Sequence, residues 1–229
     1  MKRTIMAVAV AVAASGAHAD SWFQFEAGIG ARLFQTTDGR WYQQGIPGGS
    51  NVQRLNITGS IGLTGPLINR GDWGIDWHVG YVNLGRAASD CACTPMDENY
   101  NASTHQYMPR YEVPMAYFTG SGTSSGVALT IEPYRYWQGL RWGFEVGAYV
   151  HHDTWSEQVY NWQVVGSGPA QTLNVSANYW AVAPVAGVSI GKGDFTLSYR
   201  HYFTGLNSKS QATPPLWNDA DVIELKYKF

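Results

Sequence analysis

Eight stretches of the chain alternate apolar and non-apolar residues with a period of two, and they run from eight to eighteen residues. That pattern belongs to a β-strand with unlike faces. It is clearest over residues 22–34, where Phe23, Phe25, Ala27, Ile29, Ala31 and Leu33 take the odd positions. Residues 52–65 repeat it with Leu55, Ile57, Ile61 and Leu63 against Arg54, Asn56, Thr58, Ser60 and Thr64. Residues 73–81 set Trp73, Ile75, Trp77, Val79 and Tyr81 against Gly74, Asp76, His78 and Gly80. Residues 127–134, 142–150, 195–203 and 221–229 alternate likewise, and 173–190 is the eighth, less cleanly patterned and interrupted by Pro184. A tilted strand needs about 9–11 residues to cross hydrocarbon, whereas a globular strand averages about 5–6.

The connections sort by length. Residues 66–72, 138–141 and 191–194 are tight turns, whereas 37–51, 86–125, 155–172 and 205–220 are long, polar and rich in Gly, Ser, Asn and Pro. Long and short alternate along the chain, so all long loops fall on one rim and both termini on the other. A soluble sandwich with Greek-key crossings has no reason to segregate loops this way. A closed antiparallel transmembrane β-barrel does, with short periplasmic turns and long extracellular loops. The expected fold is therefore all-β, an eight-stranded barrel. Trp22, Trp73, Trp137, Trp142, Phe195 and Phe229 gather near the short-turn rim, and Tyr81, Trp155, Tyr179 and Phe203 near the other, as interfacial girdles would.

Residues 1–19 read as a secretory signal peptide: Lys2 and Arg3, an apolar run too short to span a bilayer, then Ala17-His18-Ala19 as a cleavage site. The barrel domain is then 20–229. Of 15 basic and 17 acidic residues, the leader holds two bases and no acid, which leaves 13 against 17. That balance argues against a nucleic-acid partner, which wants a clustered basic excess.

The last strand carries Ile223, Leu225, Tyr227 and the terminal Phe229 on one side, with Val222, Glu224, Lys226 and Lys228 between them. It resembles the sorting signal by which bacterial outer-membrane barrels are read by their insertion machinery. With the eight-strand layout beside it, the chain resembles the small outer-membrane barrels of the OmpX, Ail, OmpW and OmpA-transmembrane-domain type. The resemblance implies the bacterial outer membrane as location, lipid and lipopolysaccharide as neighbours, and loops as the seat of function.

Parity points Glu26, Asp76, Glu132, Glu145 and Glu224 inward, facing Arg32, Arg54, Arg200, Lys226 and Lys228, with His78 and Tyr134 among them. The interior of an eight-stranded barrel is just wide enough for side chains to fill, and buried charges persist when paired. The lumen is thus expected to be a salt-bridged plug.

Cys91 and Cys93 are the only cysteines. In an oxidising compartment they favour a disulfide, although an i, i+2 ring is strained; free thiols or pairing between chains are the other readings. A metal site would want more ligands than His105 can add. Neither metal nor cofactor is expected.

His201 in YRHYFTGLN faces lipid by parity near the loop rim. Outer-membrane enzymes that deacylate lipid A are similar in outline, with a surface His and a Ser two residues on. Here that position is Phe203, and Thr204 points inward, so a base lacks its hydroxyl. The adjacent His151-His152-Asp153 offers another base without an evident partner. A third reading, a carrier of apolar ligands that opens sideways, draws on Pro133 and Pro184 in the wall. The leading expectation is a non-enzymatic surface protein engaging an extracellular partner through 86–125, where Tyr100, Tyr107, Tyr111, Tyr117 and Phe118 sit among small polar residues. Adhesion, host-factor binding, phage interaction and envelope integrity all fit that expectation.

Overall fold

In a computed structural model of the chain, the structure describes residues 22–34, 50–52, 55–92, 100–101, 106–107, 117–162, 171–204 and 219–229. Eleven strands occur among them: β1 (Gln24–Phe34), β2 (Ser50–Val52), β3 (Leu55–Asn69), β4 (Trp73–Ala92), β5 (Tyr100–Asn101), β6 (Gln106–Tyr107), β7 (Tyr117–Trp137), β8 (Leu140–Trp162), β9 (Gln171–Lys192), β10 (Phe195–Tyr202) and β11 (Ala220–Lys228). Eight of them form a ring in the order β4-β3-β1-β11-β10-β9-β8-β7, and β7 pairs back onto β4. Every pairing is antiparallel, so the barrel is closed with neighbours in sequence mostly neighbours in space. The short β2 adds to β4 through Ser50↔Cys91, and β5 and β6 pair only with each other.

Turn chemistry fixes the short rim. Gln138 and Gly139 both have positive φ, 52° and 74°, the pairing of a two-residue type I′ hairpin whose twist matches its strands. Gly193 (φ 59°) serves the same rim between β9 and β10.

The strands outrun the periodic stretches that mark them in sequence. β4 reaches Ala92 and β7 begins at Tyr117, so much of 86–125 is ladder, not loop, and β8 and β9 likewise consume both ends of 155–172. The physical reason is that alternation records one apolar face, and beyond the hydrocarbon neither face needs to be apolar. There the pairing continues through Gly, Ser, Thr and Asn. β8 with 23 residues is about twice the length a bilayer requires. β10 and β11 have 8 and 9. A wall of β4, β7, β8 and β9 therefore stands above one side of the rim.

Pro133 and Pro184 both sit where the register is kept on either side, which disfavours the lateral opening that the third reading drew from them. Pro184 keeps register with Ala148 on β8, and its carbonyl accepts from Phe203 N at 3.0 Å. In an antiparallel strand one residue's N–H and C=O face the same neighbour, so its missing N–H faces β10, where that ladder ends. Pro133 pairs with Ile75 on β4; the β7–β8 ladder skips residues 132 and 133, then resumes in the same register at Tyr134↔Gly143. The wall stays closed.

Outward positions carry the apolar belt. Ile29, Ile61, Leu129, Phe144, Val188 and Leu225 are all exposed, an arrangement that water would penalise and lipid tails solvate. The belt ends abruptly on the tall wall. Tyr81, Val127, Val150 and Val182 lie in one register row; the next outward row is Asn83, Ser125, His152 and Trp180. At the short-turn rim the exposed rings of Trp137 and Trp142 lie 6.2 Å apart, and Tyr227 touches both Phe195 and Phe229 at 4.9 Å.

Substituting Leu129→Arg on the belt is expected to destabilise the barrel by about 2–4 kcal/mol, and Ser156→Arg on the wall by less than about 1 kcal/mol. Reversible urea unfolding in lipid vesicles measures both, and equal costs would contradict the placement of the belt.

Candidate functional site

Most of the described charged residues inside the barrel fall into two groups at the short-turn end. In the first, His78 lies between Glu26 and Glu132, with Nδ1 3.2 Å from Glu26 Oε2 and Nε2 2.9 Å from Glu132 Oε2. Arg141 donates to Glu132 Oε1 at 2.9 Å and to Asp76 Oδ2 at 2.7 Å, and its guanidinium sits 4.0 Å over the Tyr134 ring. Lys228 closes the group 3.5 Å from Asp76, and Ser189 donates to Glu132. In the second, Arg200 grips Glu145 with two parallel bonds, Nε at 2.8 Å and Nη2 at 2.6 Å. Thr130 donates to Glu145 at 2.5 Å, Ser60 donates to Glu224 at 2.6 Å, and Lys226 lies 3.8 Å from Glu145.

Period-two geometry brings these groups together, since they come from inward positions spread over all eight strands of the ring. Glu145 and Arg200 are almost wholly buried, and a bidentate fork is the geometry that offsets the desolvation of both charges. Opposing glycines make the room. A Cβ on Gly143 would collide with Glu132 and Ser189, and one on Gly28 with Glu224.

Toward the long-hairpin rim the lumen turns apolar. Val82, Leu84, Ala128, Tyr149, Val185, Tyr202 and Val222 are buried together as a collar across the bore. Arg32 stands at this level. It donates to the carbonyl oxygens of Leu84 and, at 3.2 Å, Arg86. Beyond the collar, His151 stacks on Tyr149 with centroids 4.9 Å apart, and its Nδ1 is 2.9 Å from Asp153 Oδ1. Ser124 faces Asp153 in the ladder, and His151 Nε2 has no hydrogen-bond partner among the described residues. A histidine–carboxylate pair is present, with no nucleophile bonded to it among the described residues.

Of the residues singled out in sequence, Glu26, Asp76, Glu132, Glu145, Arg200, Glu224 and Lys226 come together in the network, and Arg32 bonds the Leu84 carbonyl. Arg54, Cys93 and the side chain of Cys91 lie outside the described residues, as does the leader 1–19. Ile223, Leu225, Tyr227 and Phe229 sit exposed on the outer face of the last strand. Arg141 was missed because 138–141 reads as a turn, although its parity with Gly143 and Glu145 places it inward.

On the outside, His201 is half-buried at the rim. Its Nδ1 is 2.7 Å from Asp221 Oδ1 and its Nε2 is 3.6 Å from Asp219 Oδ2, while Tyr199 donates to Asp221 at 2.5 Å. The sequence reading missed Asp221 as its partner, since position 221 was taken only as the strand's start. Both ring nitrogens point at carboxylates, Phe203 packs on the imidazole at 4.3 Å, and Thr204 is buried on the opposite face. This geometry orients a histidine and, among the described residues, brings no hydroxyl to it.

Breaking the bidentate pair by Arg200→Ala is expected to cost about 3–5 kcal/mol, because Glu145 is left buried with its fork removed. Combining it with Glu145→Gln should recover part of that loss. The same urea titration reads the pair, and strictly additive costs would show that the two side chains do not act together.

No family model matches the chain, and no curated protein matches it. Among solved structures it is similar to Ail, the attachment invasion locus protein of Yersinia pestis, in a complex with the heparin analogue sucrose octasulfate. There the identity is 11%, the TM-score 0.40, and 91% of this chain and 100% of that one are covered. A second Ail crystal structure gives 11% identity over the same shares and a TM-score of 0.39. Likenesses this distant carry no argument about function. What the chain's own register and exterior establish is a closed eight-stranded antiparallel barrel with a belt for lipid and a filled lumen.

Proposed function

We propose that this chain is a non-enzymatic surface protein of the bacterial outer membrane that acts through its extracellular hairpins. The observation that carries this reading is the four-stranded wall. β4, β7, β8 and β9 continue well past the belt, whereas β10 and β11 stop near it. A ladder built beyond what crossing requires is a rigid platform, and rigid platforms present binding loops. Residues 86–125 lead off this platform and hold the tyrosines suited to a partner. Attachment to another surface or macromolecule fits that platform best.

The lumen supports the same reading by offering no competing function. A paired charge network and an apolar collar fill it in series, and an eight-stranded bore has no width to spare. Among the described residues no hydroxyl is bonded to His201, which favours the surface-protein reading over lipid A modification. The exposed Ile223, Leu225, Tyr227 and Phe229 are assigned to recognition by the insertion machinery, and lipopolysaccharide to the lipid contact.

Replacing residues 93–116 by a short Gly-Ser turn is expected to leave the barrel folded and to abolish cell attachment conferred on a non-adherent bacterial host. Attachment that persists unchanged would move function off this hairpin. Mass spectra of lipid A from the expressing host are expected to match those of the empty host, and a lost or gained acyl chain abolished by His201→Ala would restore the enzyme reading.

A further inference from the structure

The bulge in β4 turns one arginine around. Val82 and Leu84 point into the lumen, so uninterrupted alternation would send residue 86 inward as well. Instead the register shifts between Asn83 and Arg86, with Gly85 at φ 79° as the inserted residue. Arg86 is consequently exposed and Ala87 buried. Bulges are used to re-aim side chains, and this one is fastened from several sides. Arg32 reaches across the lumen to the Leu84 and Arg86 carbonyls, Asn56 donates to the same Arg86 carbonyl, and Asn83 Oδ1 accepts from Gly85 N at 2.7 Å.

The re-aimed guanidinium stands just above the belt. It shares a register row with Thr123, Thr154 and Asn178, one row beyond His152 and Trp180. Among described residues its hydrogen bond is to Ser121 Oγ at 2.9 Å, which leaves most of a five-donor fork directed outward. The outward positions beside Arg86 are hydroxyls and amides, Ser121, Thr123, Thr154 and Asn178, and the next acid on that face of β4 is Asp90, opposite Thr119. The acids of the rim, Asp219 and Asp221, lie beside β10 and face His201. One side of the barrel thus carries a cation amid hydroxyls and amides, and the other carries paired acids.

We propose that this patch, centred on Arg86, docks the phosphorylated sugar headgroup of lipopolysaccharide in the surrounding leaflet. It rests on the outer-membrane reading above. Charge and chemistry select the occupant. A guanidinium fork matches a phosphate bidentately, rows of Thr, Ser and Asn match sugar hydroxyls, and Trp180, 71% exposed at the belt's edge, offers an amphipathic ring to the interface. A glycerophospholipid would meet the arginine yet leave the hydroxyl rows without partners.

The test uses the full chain folded in detergent, titrated with lipopolysaccharide in mixed micelles by thermophoresis. Arg86→Gln is expected to bind about tenfold more weakly, and Arg86→Lys to fall between. Lipopolysaccharide stripped of phosphate should bind the unmodified protein no better than the intact lipid binds Arg86→Gln. His201→Ala, on the opposite face, should match the unmodified protein. Affinity unchanged within about twofold in Arg86→Gln, or equal competition by phosphatidylglycerol, overturns the proposal. The variant lacking 93–116 should bind lipopolysaccharide normally, so failure of the hairpin's partner role leaves this site standing. A chain that never inserts into bilayers overturns both.

Discussion

Hydrocarbon offers a backbone no hydrogen-bond partner, so each strand in the belt must be paired on both sides. The contact that satisfies this requirement is β7 against β4, the pairing that closes the ring. Until it forms, two edges of unpaired N–H and C=O groups would face lipid. Once it forms, each strand has one face toward lipid and one toward the bore, and the inward face can be polar. The alternation of the sequence, the two prolines at tolerated positions and the tight turns are all consequences of keeping that ladder whole.

The bore solves a second problem, that of filling a narrow cylinder with polar side chains. Large residues on one strand face small ones on the next: Gly143 beside Glu132, Gly28 beside Glu224, and Gly126 opposite His151. The carboxylates are then close enough to arginine and lysine for direct pairing. Above them the collar changes the solution from charge pairing to apolar packing, and Arg32 holds the β4 bulge. The filled bore leaves the outer rim and the hairpins as the surfaces on which selection for binding can act.

That rim is not symmetric. Around Arg86 the tall wall carries hydroxyls and amides, while the β10–β11 side carries His201 with Asp219 and Asp221. The difference arises from strand length and from a single inserted glycine. It gives the barrel one side suited to anionic headgroups and another where two carboxylates share one imidazole.

Much of this was legible in the sequence. Strand number, the segregation of loops and the inward set of charges follow from period-two alternation, because one face met lipid and the other did not. What alternation cannot report is where a strand stops once both faces are wet, so β4, β7, β8 and β9 were read too short. It also loses count at an inserted residue, which is why the outward turn of Arg86 needed the structure. Partner choice inside the bore was likewise beyond it. Parity places Arg32 and Arg200 on the same face, and only the barrel's closure and register decide that one meets Glu145 and the other a pair of carbonyls. The sequence by itself determined which way each belt residue points, since that is set by the local geometry of an extended chain. Which residue it meets there depends on strands far apart in the chain, and that was decided by the tertiary structure.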